Sequence, residues 1–285
     1  MVEVKKILKG IYRKRDNEVH KYDFGSVLVV GGSEVYSGSP AFNAIAALRS
    51  GADLVEIAAP ERAANIVAGF LPDLITHQLK GKFLKKKHLK QIHEISENKT
   101  TVIIGGGLGR EKDTLKAVRQ FLAETKLPCV IDADAIHAIA GKEELLKKKK
   151  FIITPHTHEF FILTGEKVSG MLKEREKQVK KFAEKLGTII LLKGYVDIIS
   201  DGTQVYLNKT GSPYMTKGGT GDVLAGVIGA LLARGVGCFE AACCAAYLNG
   251  KAGEMAGRNF GDSMFASDLL DELSSEVSKK RLLGD

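Results

Sequence analysis

The chain has 285 residues, 44% hydrophobic and 27% charged, which is enough to bury a sizeable core. Its formal net charge of +8 comes largely from lysines in 80–90, 147–150 and 173–185, which alternate with Glu and apolar residues as on solvated helix faces. No aromatic series accompanies them for base stacking, no apolar run is long enough for a membrane span, and the N-terminus lacks the apolar core of a signal peptide. Nucleic-acid and membrane partners are therefore not expected, a cytoplasmic location is, and a basic surface would attract anionic small molecules.

No composition shift or Pro/Ser-rich linker divides the sequence, which predicts a single domain over 1–285. Cys129, Cys238, Cys243 and Cys244 form no C-x-x-C and read as buried thiols of a reducing compartment. Up to about Gly25 the chain is polar and yields no element. Ser26–Val30 reads as a buried strand ending at Gly31-Gly32, followed by a loop over 33–40 and an alanine-rich helix over 41–50 closed by Gly51. A strand over 54–58, a helix over 61–70 and a helical spacing over 82–97 come next. Thr101–Ile104 is a strand running into Gly105-Gly106-Gly107-Leu108-Gly109, and 114–124 is a helix.

Cys129–Ile131 is a strand closing on Asp132-Ala133-Asp134, and Phe151–Ile153 a strand closing on Thr154-Pro155-His156. A helix over 171–186 leads to a strand over 188–192 that ends at Lys193-Gly194. Strands over 196–200 and 203–207 flank Asp201-Gly202, which predicts a type I′ hairpin. Helices over 240–257 and from Ser267-Asp268 complete the chain. Strand–helix alternation with continuous apolar strands predicts an α/β fold with a mostly parallel sheet covered on both faces. Ligands bind such sheets beyond the carboxyl ends of the strands, where most of these motifs fall.

The stretch over 211–234 is the most informative. Gly211 and Pro213 forbid regular structure, and Gly218, Gly219 and Gly221 permit the positive φ of a tight turn. The second half is a helix apolar nearly all round, hence buried. A glycine-rich loop feeding a helix N-terminus makes an anion site. Asp222 at the junction reads either as an N-cap or as a base beside a phosphoryl group. Elsewhere, Gly105–Gly109 fails the dinucleotide fingerprint because Arg110 stands where its last glycine belongs. Of Asp132 and Asp134, the second is the better placed as an N-cap, and the first could face a phosphate-bound Mg²⁺ through water. His156 and Glu159 are spaced i, i+3, but H-T-H-E is not a zinc motif. Lys193-Gly194-Tyr195-Val196-Asp197 closes a buried strand, and its lysine also reads as a snorkelling one.

The run G-G-T-G-D-V-L-A-G from Gly218 resembles the anion hole of the ribokinase-like superfamily. With G-S-P-Y-M-T-K before it, the stretch is similar to the ADP/ATP-dependent NAD(P)H-hydrate dehydratases, departing from them at Ser212, Thr216 and Lys217. The G-G-S-x-x-Y-S-G-S-P run from Gly31 also resembles the family, with Ser39 in place of its alanine, and Gly106 replaces the proline of its G-P-G-L-G. Tyr22 stands where the family's H-K-G-x-x-G has its first glycine. T-P-H-x-x-E and the K-G segment match too, so the likeness runs from about His20 to Leu270.

The resemblance implies a ribokinase-like three-layer αβα sandwich and repair of hydrated NAD(P)H by phosphorylation and loss of phosphate. It implies Asp222 as base and Gly218, Gly219, Thr220 and Gly221 as anion hole. Lys193, Gly194, Tyr195, Val196 and Asp197, with Gly221, would bind the nucleotide. Ser39, Ala41, Gly107, His156 and Asp222 would contact NAD(P)HX, and Asp132 and Glu159 would support Mg²⁺. ADP or ATP would be the co-substrate, the protein a homo-oligomer (a tetramer being the form considered), and the epimerase that the family often carries a separate protein. The rival readings are a small-molecule kinase of the same fold, for hydroxyethylthiazole or a related vitamin precursor, and a non-catalytic nucleotide-binding regulator.

Overall fold

Apolar side chains at both parities of each central strand set the architecture. In β1 (Ser26–Val30), Val27 and Val29 join one core cluster while Leu28 and Val30 join another. The same division recurs in β4 (Thr101–Ile104), β5 (Cys129–Ile131), β6 (Phe151–Ile153) and β7 (Ile189–Leu192). A sheet buried on both faces needs helices on both sides. One face is covered by α1 (Val4–Ile11), α2 (Gly38–Arg49), α3 (Glu61–Ala68), α9 (Thr220–Ala233), α10 (Cys238–Phe260) and α11 (Ala266–Leu282). The other carries α4 (Leu89–Ser96), α5 (Lys112–Glu124), α6 (Asp134–Ile139), α7 (Thr157–Thr164) and α8 (Leu172–Leu186).

The computed structural model describes residues 2–282; Met1 and 283–285 of the expected domain lie outside them. With β2 (Leu54–Pro60), β3 (Ile75–Leu79), β8 (Asp197–Ser200) and β9 (Val205–Asn208), the described strands form one sheet in the order β3-β2-β1-β4-β5-β6-β7-β8-β9. Pairing is parallel from β3 through β7 and antiparallel for β8 and β9. This is the three-layer, mostly parallel αβα sandwich that the sequence predicts.

Within it, α9 is the innermost helix: every residue from 223 to 233 is buried. Its glycines set how close it comes. A Cβ on Gly226 would run into the backbone oxygen of Asn43 in α2, and one on Gly229 would lie 2.5 Å from Ile103 Cδ1. Filling such a contact costs about 1–3 kcal/mol.

Several local expectations are corrected. β3 and α1 were not anticipated. β3 is an edge strand whose I-T-H-Q-L buries only Leu79 and leaves no clean period, whereas α1 carries Val4, Ile7, Leu8 and Ile11 at helical i, i+3, i+4, i+7 spacing, a signal missed within this polar stretch. Only Leu89–Ser96 of the 82–97 segment is α-helical. The His88 ring accepts from Lys85 N at 3.0 Å and meets Lys80 O at 3.1 Å, pinning what precedes as a loop. The Asp201-Gly202 turn is not type I′. Ser200 pairs with Val205, leaving a four-residue loop, and Asp201 Oδ1 accepts from the backbone of Thr203 and Gln204 at 2.8 Å each. Asp201 does not take the positive φ that a type I′ turn requires.

Tyr22, standing at the position where the resembling family has glycine, has φ +84°, a conformation that costs a side-chain-bearing residue about 1 kcal/mol or more. Cys129, Cys243 and Cys244 are buried free thiols and Cys238 a half-buried one.

Candidate functional site

The carboxyl ends of β1, β4, β5, β6 and β7 and the N-terminus of α9 assemble one cleft, through glycines that let the loops touch. Gly105 has φ +136°, and a Cβ on it would overlap the backbone oxygen of Asp132. Gly32 N donates to Gly106 O at 2.8 Å. Gly107, at φ +68°, leaves only 2.8 Å between its Cβ position and Tyr36 Cβ. Of Gly218, Gly219 and Gly221, only Gly219 uses a positive φ, at +101°. Gly221 instead provides clearance, since its Cβ position lies 3.3 Å from Lys193 Nζ, and Gly218 faces open space. Thr220 Oγ1 points back to Met215 O and Lys217 O at 3.0 and 3.1 Å, and Lys217 Nζ donates to Asp262 O. The turn is thereby held while Gly219, Gly221 and Asp222 keep N–H groups without a backbone acceptor among the described residues.

Asp222 is not the N-cap. Gly219 takes that place, and Asp222 is the third residue of the helix. Its backbone carbonyl accepts from Asn43 Nδ2 at 2.8 Å, which ties the start of α9 to α2. Its carboxylate lies against Gly106, whose Cβ position is 2.8 Å from Oδ1, and accepts a hydrogen bond from Ser39. Burial, then the nearby Asp132 charge, push its pKa from 3.8 up to about 7, against the Ser39 hydrogen bond and Lys193. A carboxylate in this state takes protons near neutrality.

Beside it, three strand ends build a charge cluster. Lys193 Nζ sits 2.9 Å from Asp132 Oδ1 and 3.8 Å from Glu159 Oε2. Thr154 Oγ1 donates to the same Asp132 oxygen at 2.7 Å. Burial works to lower the Lys193 pKa, but Asp132 and Glu159 outweigh it and hold the ammonium above its ordinary value. His156 is the N-cap of α7: its Nδ1 accepts from the backbone of His158 and Glu159 at 3.1 and 3.3 Å, while Glu159 Oε2 accepts from His156 N at 2.8 Å. Nδ1 is thus an acceptor and the proton rides on Nε2. Burial, partly offset by Glu159, lowers the pKa of this half-exposed ring.

The structure brings Ser39, Gly107, Asp222, Gly221, Lys193, Asp132, Glu159 and His156 to one cleft. Ala41 contributes no side chain to it, because its methyl group is buried in the core. Asp197 turns back to accept from Gly194 N and Asn208 Nδ2 at 3.0 Å each, closing its own turn, while Val196 is buried and Tyr195 exposed. Asp134 is not an N-cap either. It accepts from Gly109 N and Arg110 Nε at 2.9 Å each and fixes the glycine loop. Asn43 and Thr154 were not assigned roles from sequence; a lone Asn in an alanine-rich apolar helix was the available signal for the first.

The family model described as NAD(P)H-hydrate dehydratase matches residues 27–275. The chain belongs to the NAD(P)H-hydrate dehydratase family. Among relatives in it, the chain is 44% identical over 269 residues to a bifunctional NAD(P)H-hydrate repair enzyme of Pyrobaculum aerophilum, covering 94% of this chain and 53% of that one. It spans about half the length of the first curated relatives it matches. It is 39% identical to the ADP-dependent (S)-NAD(P)H-hydrate dehydratase of Cenarchaeum symbiosum, over 92% of this chain and 91% of that one. The crystal structure of the Bacillus subtilis ADP/ATP-dependent dehydratase, co-crystallised with ATP and Mg²⁺, superposes with a TM-score of 0.83 at 27% identity, covering 97% of each chain. The fold of this dehydratase family is thus the ribokinase-like one read from the glycine loop.

Proposed function

We propose that the chain restores NADH or NADPH from the hydrates NADHX and NADPHX, with ADP or ATP as phosphoryl donor. The observation that carries this reading is a carboxylate with a pKa of about 7 beside unpaired N–H groups at the half-buried N-terminus of an otherwise buried helix. Asp222 takes the proton of the ring hydroxyl as its oxygen attacks the terminal phosphoryl group. The N–H groups of Gly219, Gly221 and Asp222 hold the phosphoryl oxygens where charge develops. Electrons of the ring nitrogen then expel phosphate, and loss of a proton from the neighbouring carbon restores the double bond. Ser39 and Gly107 border the ring, His156 offers its Nε2–H, and Lys193 with the 194–197 turn holds the nucleotide.

Mg²⁺ prefers carboxylates and retains waters, which suits the partly neutralised Asp132–Glu159 pair. No group of three or more His, Cys, Asp or Glu among the described residues is placed to hold a metal alone. The ion would therefore arrive with the nucleotide, and it supplies neutralisation of phosphate charge when bound. The names of the relatives support the same substrate and donor. A single domain over these residues and a cytoplasmic homo-oligomer belong to this reading. No helix among the described residues is long and apolar enough to cross a membrane.

The test is absorbance at the reduced-nicotinamide band after mixing protein, NADHX, Mg²⁺ and either ADP or ATP. Regeneration is expected with at least one donor. No regeneration with either donor, together with phosphorylation of a thiazole or pyrimidine alcohol, hands the site to the kinase reading. Nucleotide binding with neither reaction leaves a regulator.

A further inference from the structure

A cavity of about 660 Å³ opens between α7, the start of α8 and the turn after β7, lined in part by Thr157, His158, Lys167, Ser169, Arg175 and Tyr195. Arg175 is the unusual member. It lies in the first turn of α8 and is only 5% exposed. Its Nη2 is 2.7 Å from the Cβ position of Gly194, so any side chain there would displace it, and its Cζ lies 5.7 Å from the Tyr195 ring centroid. Yet Nε has no hydrogen-bond partner, and no carboxylate forms an ion pair with Arg175 among the described residues. Asp197 is the acidic group that feels it, and that carboxylate is engaged by Gly194 N and Asn208 Nδ2.

A buried, unpaired guanidinium is costly to keep. Here it lines a cavity with Lys167 on its wall and the first turn of α7 at its edge, all favouring negative charge. A planar fork of donors suits a phosphate, which it engages through two parallel bonds. The cavity also shares Gly194 with the turn that follows Lys193. We propose that this cavity binds a phosphate group of a nucleotide, with Arg175 as its anchor. That the anion is a nucleotide's rests on the function proposed above; the arginine and its cavity do not.

The experiment is calorimetric titration of wild type, Arg175→Gln and Arg175→Lys with ADP in Mg²⁺, with pyrophosphate and with NADPH, alongside thermal melts. Arg175→Gln should weaken ADP and pyrophosphate by roughly 10- to 100-fold, the worth of a charge-assisted hydrogen bond, with Arg175→Lys in between. Weakening of NADPH alone would assign the phosphate to the dinucleotide and keep the site. Unchanged binding of all three in a folded variant overturns it. If the arginine variants do not fold, Ser169→Asp places a negative charge in the same cavity from its half-buried rim. Weaker anion binding is then expected, and affinities equal to wild type overturn the proposal. Wild type that binds ADP but regenerates no NADH sinks the activity and spares this site. Normal turnover with wild-type affinity in Arg175→Gln sinks this site and spares the activity.

Discussion

Two carboxylate environments lie side by side in the cleft, and they are built on opposite principles. Asp132 and Glu159 share one lysine, a threonine hydroxyl and a backbone N–H, so their charge is compensated where it stands. Asp222 receives one serine hydroxyl and lies against Gly106, with like charges on Asp132 and Glu159 that Lys193 offsets only in part. The first arrangement fixes a charge; the second leaves a carboxylate whose proton is easily exchanged near pH 7. Binding and proton transfer thus need different surroundings for the same functional group.

The largest effect expected is that of Asp222→Asn. It keeps the size and removes the base, so turnover should fall by roughly 10²- to 10⁴-fold while nucleotide binding survives. Near-normal turnover in the folded variant would erase the contrast drawn above. The same variant gives a pH test. Ionising a carboxyl with a folded pKa of about 7 instead of 3.8 works against folding, so stability contributed here falls as pH rises through that window. The melting temperature of Asp222→Asn relative to wild type should rise from pH 4 to pH 7 and level off above it. Wild-type kcat/KM should climb to a plateau above the same pKa.

Lys193→Gln attacks the other environment. It leaves two buried carboxylates facing each other and should cost about 3–5 kcal/mol in a denaturant titration. Because Lys193 helps hold the Asp222 pKa down, its loss should also move the activity limb to higher pH. A variant as stable as wild type would mean the cluster is not compensated as described. Gly106→Ala is a smaller change, putting a methyl group 2.8 Å from Asp222 Oδ1 and 2.9 Å from Ser39 Cβ. Displacing the base should lower turnover by about 10-fold or somewhat more without loss of folding. Smallest is Ser39→Ala, which removes a hydrogen bond to the ionised base. The limb should shift upward, with turnover at pH 7 down roughly two- to tenfold; an unmoved limb would show that the serine does not tune Asp222.

How much of this was legible in the sequence depended on whether a residue acts through its own segment. The αβα layers follow from strands apolar at both parities, and the glycine loop with Asp222 stands out within a single run of residues. Lys193, Asp132 and Glu159 were each singled out, but nothing in one-dimensional spacing says that three strand ends bring them onto one another. Asp134 was misread as a cap because its partners, Gly109 and Arg110, lie 25 and 24 residues away. The edge strand β3 escaped because one buried residue in five leaves no period to read. Tyr22 was visible only as a departure from the family's glycine, and its positive φ gives that departure a physical meaning.

The burial of α9 from Val223 to Ala233 bears on how this protein could be changed. A helix with no wet face from 223 to 233 offers no position where a substitution is free of packing consequences. Random variation there would register as lost protein before it registered as altered chemistry. The rim is different. Tyr36 and Tyr195 are 56% and 77% exposed, and their side chains can be exchanged without touching the core. A library aimed at new donors or substrates therefore belongs at those rim positions, with the glycine loop and the helix behind it left as they are.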